Sequence, residues 1–449
     1  MSDREELKRR ACDAIEERRA EVIDIAKDIL HNPETGFKEQ RTARLVSGKL
    51  GELGIPYRDG LALTGVKGTL SGEAGPGPRV AIIGELDGLP VFEHPHANAD
   101  TGAAHACGHH AQIGMMLGAP MGLRLSGVLR ELSGSVAPFA VPAEEFTEVE
   151  QRLELRDENK LEFLGGKQEL IRLGEFGDVD MAIMCHTASD MGARMFSLGG
   201  TSNGHLVKYI EYTGQGAHAG AAPHMGINAL NAANFALAAI HANRDTLREQ
   251  ETARIHGIIT RGGEVVSAVP ADVRLEWRVR SSASDDLLKN SAKVDRCFKS
   301  GAMAVGAKVK ITTIPGYFPL RHDSVLQVLF QSNATRLLGR DRVSVVPQSV
   351  NRGGSTDMGD LSQIMPVCHP YTAGASGPGH SKKYVINDYE RAVINPAKIM
   401  AMVVIDLLAE GAVKAREVLA KSKPNMTTDE YVGFQRQRAQ VEEFDGAEP

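Results

Sequence analysis

Sixteen residues from His94 to His109, closed by His110, hold five of the chain's fifteen histidines and one of its five cysteines, Cys107. They follow an apolar run, Val80-Ala-Ile-Ile-Gly-Glu-Leu-Asp87, and precede a helix-like stretch over residues 111–132. Thiolate and imidazole are borderline-soft donors. A loop at the end of a buried strand holds such donors rigidly and leaves one side open, so the chemistry this run suggests is transition-metal binding. Cys107-Gly-His109 alone is a weak pattern, and it gains weight because other donors stand at the ends of other expected strands. Pro142-Ala-Glu144-Glu145-Phe follows the apolar residues 136–141. Beside a metal, one of two adjacent carboxylates can be a ligand while the other accepts a proton from water; without a metal the pair is an ordinary solvated loop. Cys185-His186 ends the run 179–184, where a histidine is often just a satisfied core residue. Arg352-Gly-Gly-Ser-Thr-Asp357-Met-Gly-Asp360 reads as a glycine-rich acidic turn or a capped helix start. The loop 374–380, ending in His380, has the backbone freedom to approach a ligand or to be a plain loop.

The elements that must position these groups follow from periodicity. Residues 3–30 carry Ile15, Val22, Ile25 and Ile29 at helical spacing, stopped by Asn-Pro33 and Gly36. Short apolar runs at 79–84, 134–141 and 178–185 alternate with helical stretches, which predicts an α/β fold with a mostly parallel sheet buried on both faces. The pattern changes at residue 203. From there to 317 the order is β-α-β-β-α-β, the split-βαβ or ferredoxin-like arrangement of a small α+β domain. The expected organisation is a catalytic metal-binding domain over 1–202, an inserted satellite domain over 203–317, and the rest of the catalytic domain over 318–449. The acidic segment beyond Lys423 is expected to be a loose tail.

Bulk properties narrow the class. At 449 residues the chain exceeds one ordinary core. A net charge of −6 without a basic block gives no support for nucleic-acid or anionic-membrane partners. The charged N-terminus lacks the apolar core of a signal peptide, and no window approaches the roughly 18 apolar residues of a membrane span. Five cysteines without framework spacing fit a reducing, cytoplasmic setting. Gly200-Thr-Ser202-Asn-Gly204 matches the serine-hydrolase elbow pattern, but strand-like sequence follows where that elbow needs a helix. Neither of the common glycine-rich nucleotide-binding signatures is present.

Six stretches, in this order, resemble the M20 family of metallopeptidases and amidohydrolases, especially its aminoacylase-like and aminobenzoyl-glutamate hydrolase-like subgroup. They are His31-Asn-Pro-Glu-Thr-Gly-Phe37, Gly84-Glu-Leu-Asp-Gly-Leu-Pro90, Ala106-Cys-Gly-His109, Pro142-Ala-Glu-Glu145, Gly216-Ala-His-Ala219 with Gly226-Ile-Asn-Ala-Leu230, and Ser355-Thr-Asp-Met-Gly359. The resemblance implies that the satellite domain dimerises, giving a homodimer or higher homo-oligomer. It also implies a divalent transition-metal centre, Mn or Zn, of one or two ions per subunit, held by Cys107, His109, Glu145, His186 and His380. Glu144 would be the general base and proton shuttle, and His218 would reach across the dimer to stabilise negative charge. Asp87 would support a ligand from behind, with His110 and Asp357 also expected in the surrounding layer. Three departures from the family pattern stand out. His110 replaces the usual Asp or Asn after Cys-Gly-His, Ser267-Ala-Val-Pro270 stands where many relatives carry Asn for the substrate carboxylate, and Arg278 adds a cation beside the family's Arg280. Ser267, Arg278 and Arg280 are therefore expected to bind a small anionic substrate.

The expected activity is metal-dependent hydrolysis of a C–N bond, by default in an N-acyl or N-aroyl amino acid or a dipeptide. The alternative in the same site is hydrolytic deamination of an activated aromatic amine, an activity of the 5-nitroanthranilate type that the resemblance includes. A different class, a non-catalytic binding protein that kept the fold and a structural metal, is the third expectation.

Overall fold

The computed structural model describes residues 3–448. The apolar run after Arg79 forms the strand Arg79–Glu85 inside a seven-stranded sheet. The order is Tyr57–Leu61, Gly65–Gly68, Ser135–Val141, Arg79–Glu85, Met181–Ile183 and Val367–Cys368, with Leu70–Ser71 paired to Ser135–Val141 off that path. The last four of these are mutually parallel, and the strands on the other side are antiparallel. Parallel strands need cover on both faces. Here Val80 and Ile82 belong to one apolar cluster and Ala81 and Ile83 to another, the alternation a doubly covered strand requires. The helices His109–Leu125 and Asn395–Leu408 lie in the first cluster. Because the central strands run the same way, the loops leaving their C-terminal ends converge. A second sheet joins Val343–Asn351, Phe196–Thr201, Tyr371–Thr372 and His186–Thr187.

The elements between 204 and 315 run β-α-β-β-α-β: Gly204–Thr213, Ala229–Ala242, Arg254–Arg261, Asp272–Ser281, Ser284–Val305 and Lys308–Pro315. They enclose their own apolar cluster, with Trp277, Phe298 and Ile210 inside it. The strand Asp272–Ser281 alternates buried and half-buried residues along its whole length, as expected when helices cover one face only. Among the described residues no helix is long and apolar enough to cross a membrane.

Four expectations are corrected. The long N-terminal helix is two, Asp3–Glu17 and Arg19–His31, broken at Arg18 so that both halves pack on His109–Leu125. The helix expected over 111–132 starts at His109 and ends at Leu125. The run 178–185 forms a strand only over Met181–Ile183. The tail beyond Lys423 is ordered: a helix, Thr428–Arg438, opens with a capping box between Thr427 and Glu430, and Gln440–Asp445 adds a fifth strand to the sheet of the β-α-β-β-α-β unit. Its acidic composition hid the buried Tyr431, Gln435 and Arg438, which composition alone cannot reveal.

Candidate metal centre

The convergent loops bring the donors together. Cys107 and His109 flank Gly108, whose φ of +90° lies in the left-handed region; a Cβ there would meet Thr187 Oγ1 at 2.1 Å. Only glycine lets the chain turn this tightly into the helix that starts at His109. The strand Ser135–Val141 leads to Glu144 and Glu145 through Ala143, whose φ of +51° is a strained value for a residue with a side chain. Glu39 holds this bend by accepting the Ala143 amide at 2.8 Å. His186 follows the strand Met181–Ile183, and His380, itself at φ +59°, is tied by its amide to the Ala106 carbonyl at 2.8 Å.

Two sets of donors share one sulfur. Cys107, His109 and His186 form one group and Cys107, Glu145 and His380 another, the candidate atoms of each lying within 4.8 Å of one another. Cys107 Sγ is 3.3 Å from His186 Nε2, and His380 Nε2 is 3.1 Å from Glu145 Oε1. Yet Glu145 Oε1 and His109 Nε2 are buried without a hydrogen-bond partner. Orphaned buried donors of sulfur, nitrogen and oxygen type that face one another fit a transition-metal ion. The outer contacts fit too: His109 Nδ1 lies 2.8 Å from the Asp87 carbonyl, and His186 Nδ1 lies 2.7 Å from that of Thr187. Asp87 Oδ2 also accepts the Glu145 amide at 2.8 Å.

The electrostatics separate the two adjacent carboxyls. Burial, reinforced by Glu85 and Glu145, pushes Glu144 well above the usual carboxylate range. Burial would also raise Glu145, but His380 foremost, with His109 and Arg278, outweighs it and holds Glu145 below that range. Burial would raise the Cys107 thiol; His186 foremost, with His109 and His380, brings it down to about 5. Adjacent carboxyls pushed in opposite directions are the pattern of a shuttle next to a ligand.

A cavity of about 410 Å³ opens over these donors. It is lined by Cys107, Glu144, Glu145, His186 and His380 together with the rings of Phe146, His205, Tyr317 and Tyr371. Arg254, Arg278 and Arg280 also line it. Arg278 donates to the Phe146 carbonyl; Arg280 Nη1 donates to Ser355 Oγ at 2.8 Å and Nε to His256 Nε2 at 3.2 Å; Arg254 Nη1 donates to the Ala253 carbonyl at 2.9 Å. These partners are carbonyl, hydroxyl and imidazole, not carboxylate. Arg280 faces both Arg254 and His205 across the strands, and Arg278 faces His256.

The remaining expected residues lie elsewhere. Asp357 is fully buried behind the centre, where its carboxylate pairs with Lys167 and accepts the Lys167 amide at 3.0 Å. His110 turns away from the cavity toward His105, 5.3 Å between ring centres, and burial followed by His109 pushes it down to about 3, so it brings no charge. His218 is exposed, its Nδ1 accepting the Gly220 and Ala221 amides at 3.1 Å, and the Ser267 carbonyl accepts the Ala219 amide at 2.8 Å; neither residue lines this cavity. Sequence reasoning missed Glu85, whose Oε2 lies 3.1 Å from His109 Nε2 and whose Oε1 lies 2.6 Å from Lys167 Nζ. Glu85 was within reach, since it stands two residues before Asp87 in the matched stretch. Nothing in sequence marks Lys167, nor the wall residues His205, His256 and Tyr317.

Residues 200–304 match the peptidase dimerisation domain of the M20 type. The chain is 27% identical to the Xaa-Arg dipeptidase of Mus musculus over 90% of each chain. It is 24% identical to an IAA-amino acid hydrolase of Arabidopsis thaliana over 77% of this chain and 75% of that one. In fold it resembles a dinuclear metal-binding M20 peptidase of Bacillus subtilis, with a TM-score of 0.62 and 20% identity over 87% of this chain and 98% of that one. These relatives indicate a metal-dependent hydrolase acting on C–N bonds. Within that class the similarities support an M20 family amidohydrolase.

Proposed function

We propose that the protein hydrolyses the amide bond of a small anionic substrate, an N-acyl or N-aroyl amino acid or a dipeptide. The observation that carries this reading is the cavity itself: arginines without carboxylate partners line it together with Glu144 and the donor cluster. Cys107, His109, Glu145, His186 and His380 would hold the metal, Mn or Zn, and the two donor groups sharing Cys107 favour a pair of ions. When bound, such an ion acidifies water and polarises a carbonyl oxygen. Glu144, as the carboxylate, would take a proton from the attacking water; burial then favours its protonated form, which would hand the proton to the departing nitrogen. Arg278 and Arg280 orient the substrate carboxylate, and Asp87 keeps His109 and Glu145 in place. His218 and Ser267 belong to the small α+β unit; in a dimer built on that unit they would complete the partner's site, His218 by donating to a growing oxyanion.

A second reading is favoured by the aromatic walls. Phe146, Tyr317 and Tyr371 can enclose a flat ring, which also suits hydrolytic deamination of an activated aromatic amine such as 5-nitroanthranilate. We further assign domain limits at residues 203 and 317, where the chain enters and first leaves the five-stranded sheet, and a cytoplasmic location from the five free cysteines. Incubation of Mn- or Zn-loaded protein with N-benzoyl amino acids, dipeptides and 5-nitroanthranilate distinguishes the readings. Release of a free amino acid supports the first and release of ammonia from the ring the second. No turnover in any of these refutes both.

A further inference from the structure

The chain enters the five-stranded sheet near residue 203, leaves it near residue 317 and returns to it at Ala439, between the C-terminal helix and the strand Gln440–Asp445. The helix sits over both earlier crossings. Gln435 Nε2 donates to the Gly316 carbonyl at 3.2 Å, and Arg438 Nη2 donates to the His205 carbonyl at 3.2 Å. Arg438 Nη1 is held by Gln435 Oε1 at 2.8 Å, and its guanidinium stacks 5.2 Å from the Phe318 ring. At the other end of the helix, the Tyr431 hydroxyl donates to Asp360 at 2.7 Å. Tyr431 and Gln435 are fully buried and Arg438 nearly so. A guanidinium buried against carbonyls and aromatic rings is costly to desolvate, and its return here is geometric definition of the backbone it binds.

That backbone carries the cavity wall. His205 N donates to the Tyr317 carbonyl at 2.9 Å, and the two rings meet edge to face at 4.5 Å. The contact is close enough that a Cβ on Gly316 would meet the His205 carbonyl oxygen at 2.4 Å. Both rings line the cavity and pack on Phe146, and the Tyr317 hydroxyl donates to the carbonyl of Glu144. An unbroken path of contacts thus runs from Arg438 through His205 and Tyr317 to the backbone of Glu144.

We propose that Gln435 and Arg438 of the C-terminal helix are positioning residues: they fix the two crossings near residues 203 and 317 and, through His205 and Tyr317, the placement of Glu144. The proposal rests on the assignment of Glu144 as proton shuttle given above, and its test separates the two. Manganese-loaded wild type, Arg438→Met and Arg438→Lys are compared by hydrogen exchange at residues 203–206, 315–318 and 142–146, with residues 80–85 as internal reference. The same proteins are assayed with N-benzoylglycine. Arg438→Met should raise exchange in the three segments about tenfold while the reference stays unchanged. It should also lower kcat about tenfold with KM within about twofold, since misplacing a catalytic group costs rate more than binding. Arg438→Lys, which keeps one donor for the His205 carbonyl, should recover most of both effects. Unchanged exchange at 142–146, or a uniform rise that includes 80–85, overturns the proposal. If wild type leaves N-benzoylglycine intact, the substrate assignment fails, and the exchange measurement still decides the positioning role.

Discussion

At the scale of single residues, the adjacent Glu144 and Glu145 do opposite work because their surroundings differ. Glu145 has His380 at 3.1 Å, whereas Glu144 faces the carboxylates of Glu85 and Glu145 in a buried site. Removing Glu144 should therefore leave the donor set intact. Glu144→Ala is expected to bind metal as wild type does, by elemental analysis, and to lose turnover by about 10²–10⁴-fold. A variant that loses its metal would make Glu144 a ligand instead. The Glu85–Lys167–Asp357 group behind it is wholly enclosed, a lysine between two carboxylates with no exposure on any of the three. Such a triad holds only while all members are present, because each alone would be an uncompensated buried charge.

At the scale of elements, two segments depend on contacts that their own composition does not advertise. The helix from His109 to Leu125 is buried nearly all round and places His109 at its first turn. The helix Thr428–Arg438 is polar in sequence and yet docks through Tyr431 and Gln435 onto Asp360. Burial pushes Asp360 up from 3.8 to about 7. An acid whose folded value exceeds its unfolded value stabilises the fold fully below the unfolded value and loses that contribution as pH rises to the folded one. Stability carried by Asp360 should therefore fall between about pH 4 and about pH 7. Asp360→Asn keeps an acceptor for the Tyr431 hydroxyl without this titration. Urea midpoints at about pH 5 and about pH 8 should show the variant gaining on wild type at the higher value. A constant difference would mean that the carboxyl does not titrate in this window.

At the scale of the molecule, the M20 dimerisation match over residues 200–304 covers the unit that carries His218. In one chain His218 is exposed and does not line the cavity. We propose that a second copy of the chain completes the site. His218→Ala should lower turnover about 10²-fold without stripping metal. Mixing it with Glu144→Ala should restore up to roughly a quarter of wild-type activity, since random pairing yields heterodimers that each hold one intact site. Mixed protein no more active than either parent, with exchange of subunits demonstrated, would confine His218 to its own chain.

How much was legible in advance follows a physical line. Donor types and local spacing are written in the sequence: Cys107, His109, the Glu144–Glu145 pair, His186 and His380 could be named as candidates from their donor types, their places in loops after expected strands or in a glycine-rich loop, and the family resemblance, and period-two and helical patterns pointed to the α/β core and the β-α-β-β-α-β order. The partners that give those residues their character were not legible, since Lys167, His205, Tyr317 and Arg438 come from elements far apart in the chain and carry no local mark. Composition misjudged the C-terminal segment for the same reason. Three buried side chains outweigh an acidic average, because burial depends on what a segment packs against, and only the tertiary structure supplies that surface.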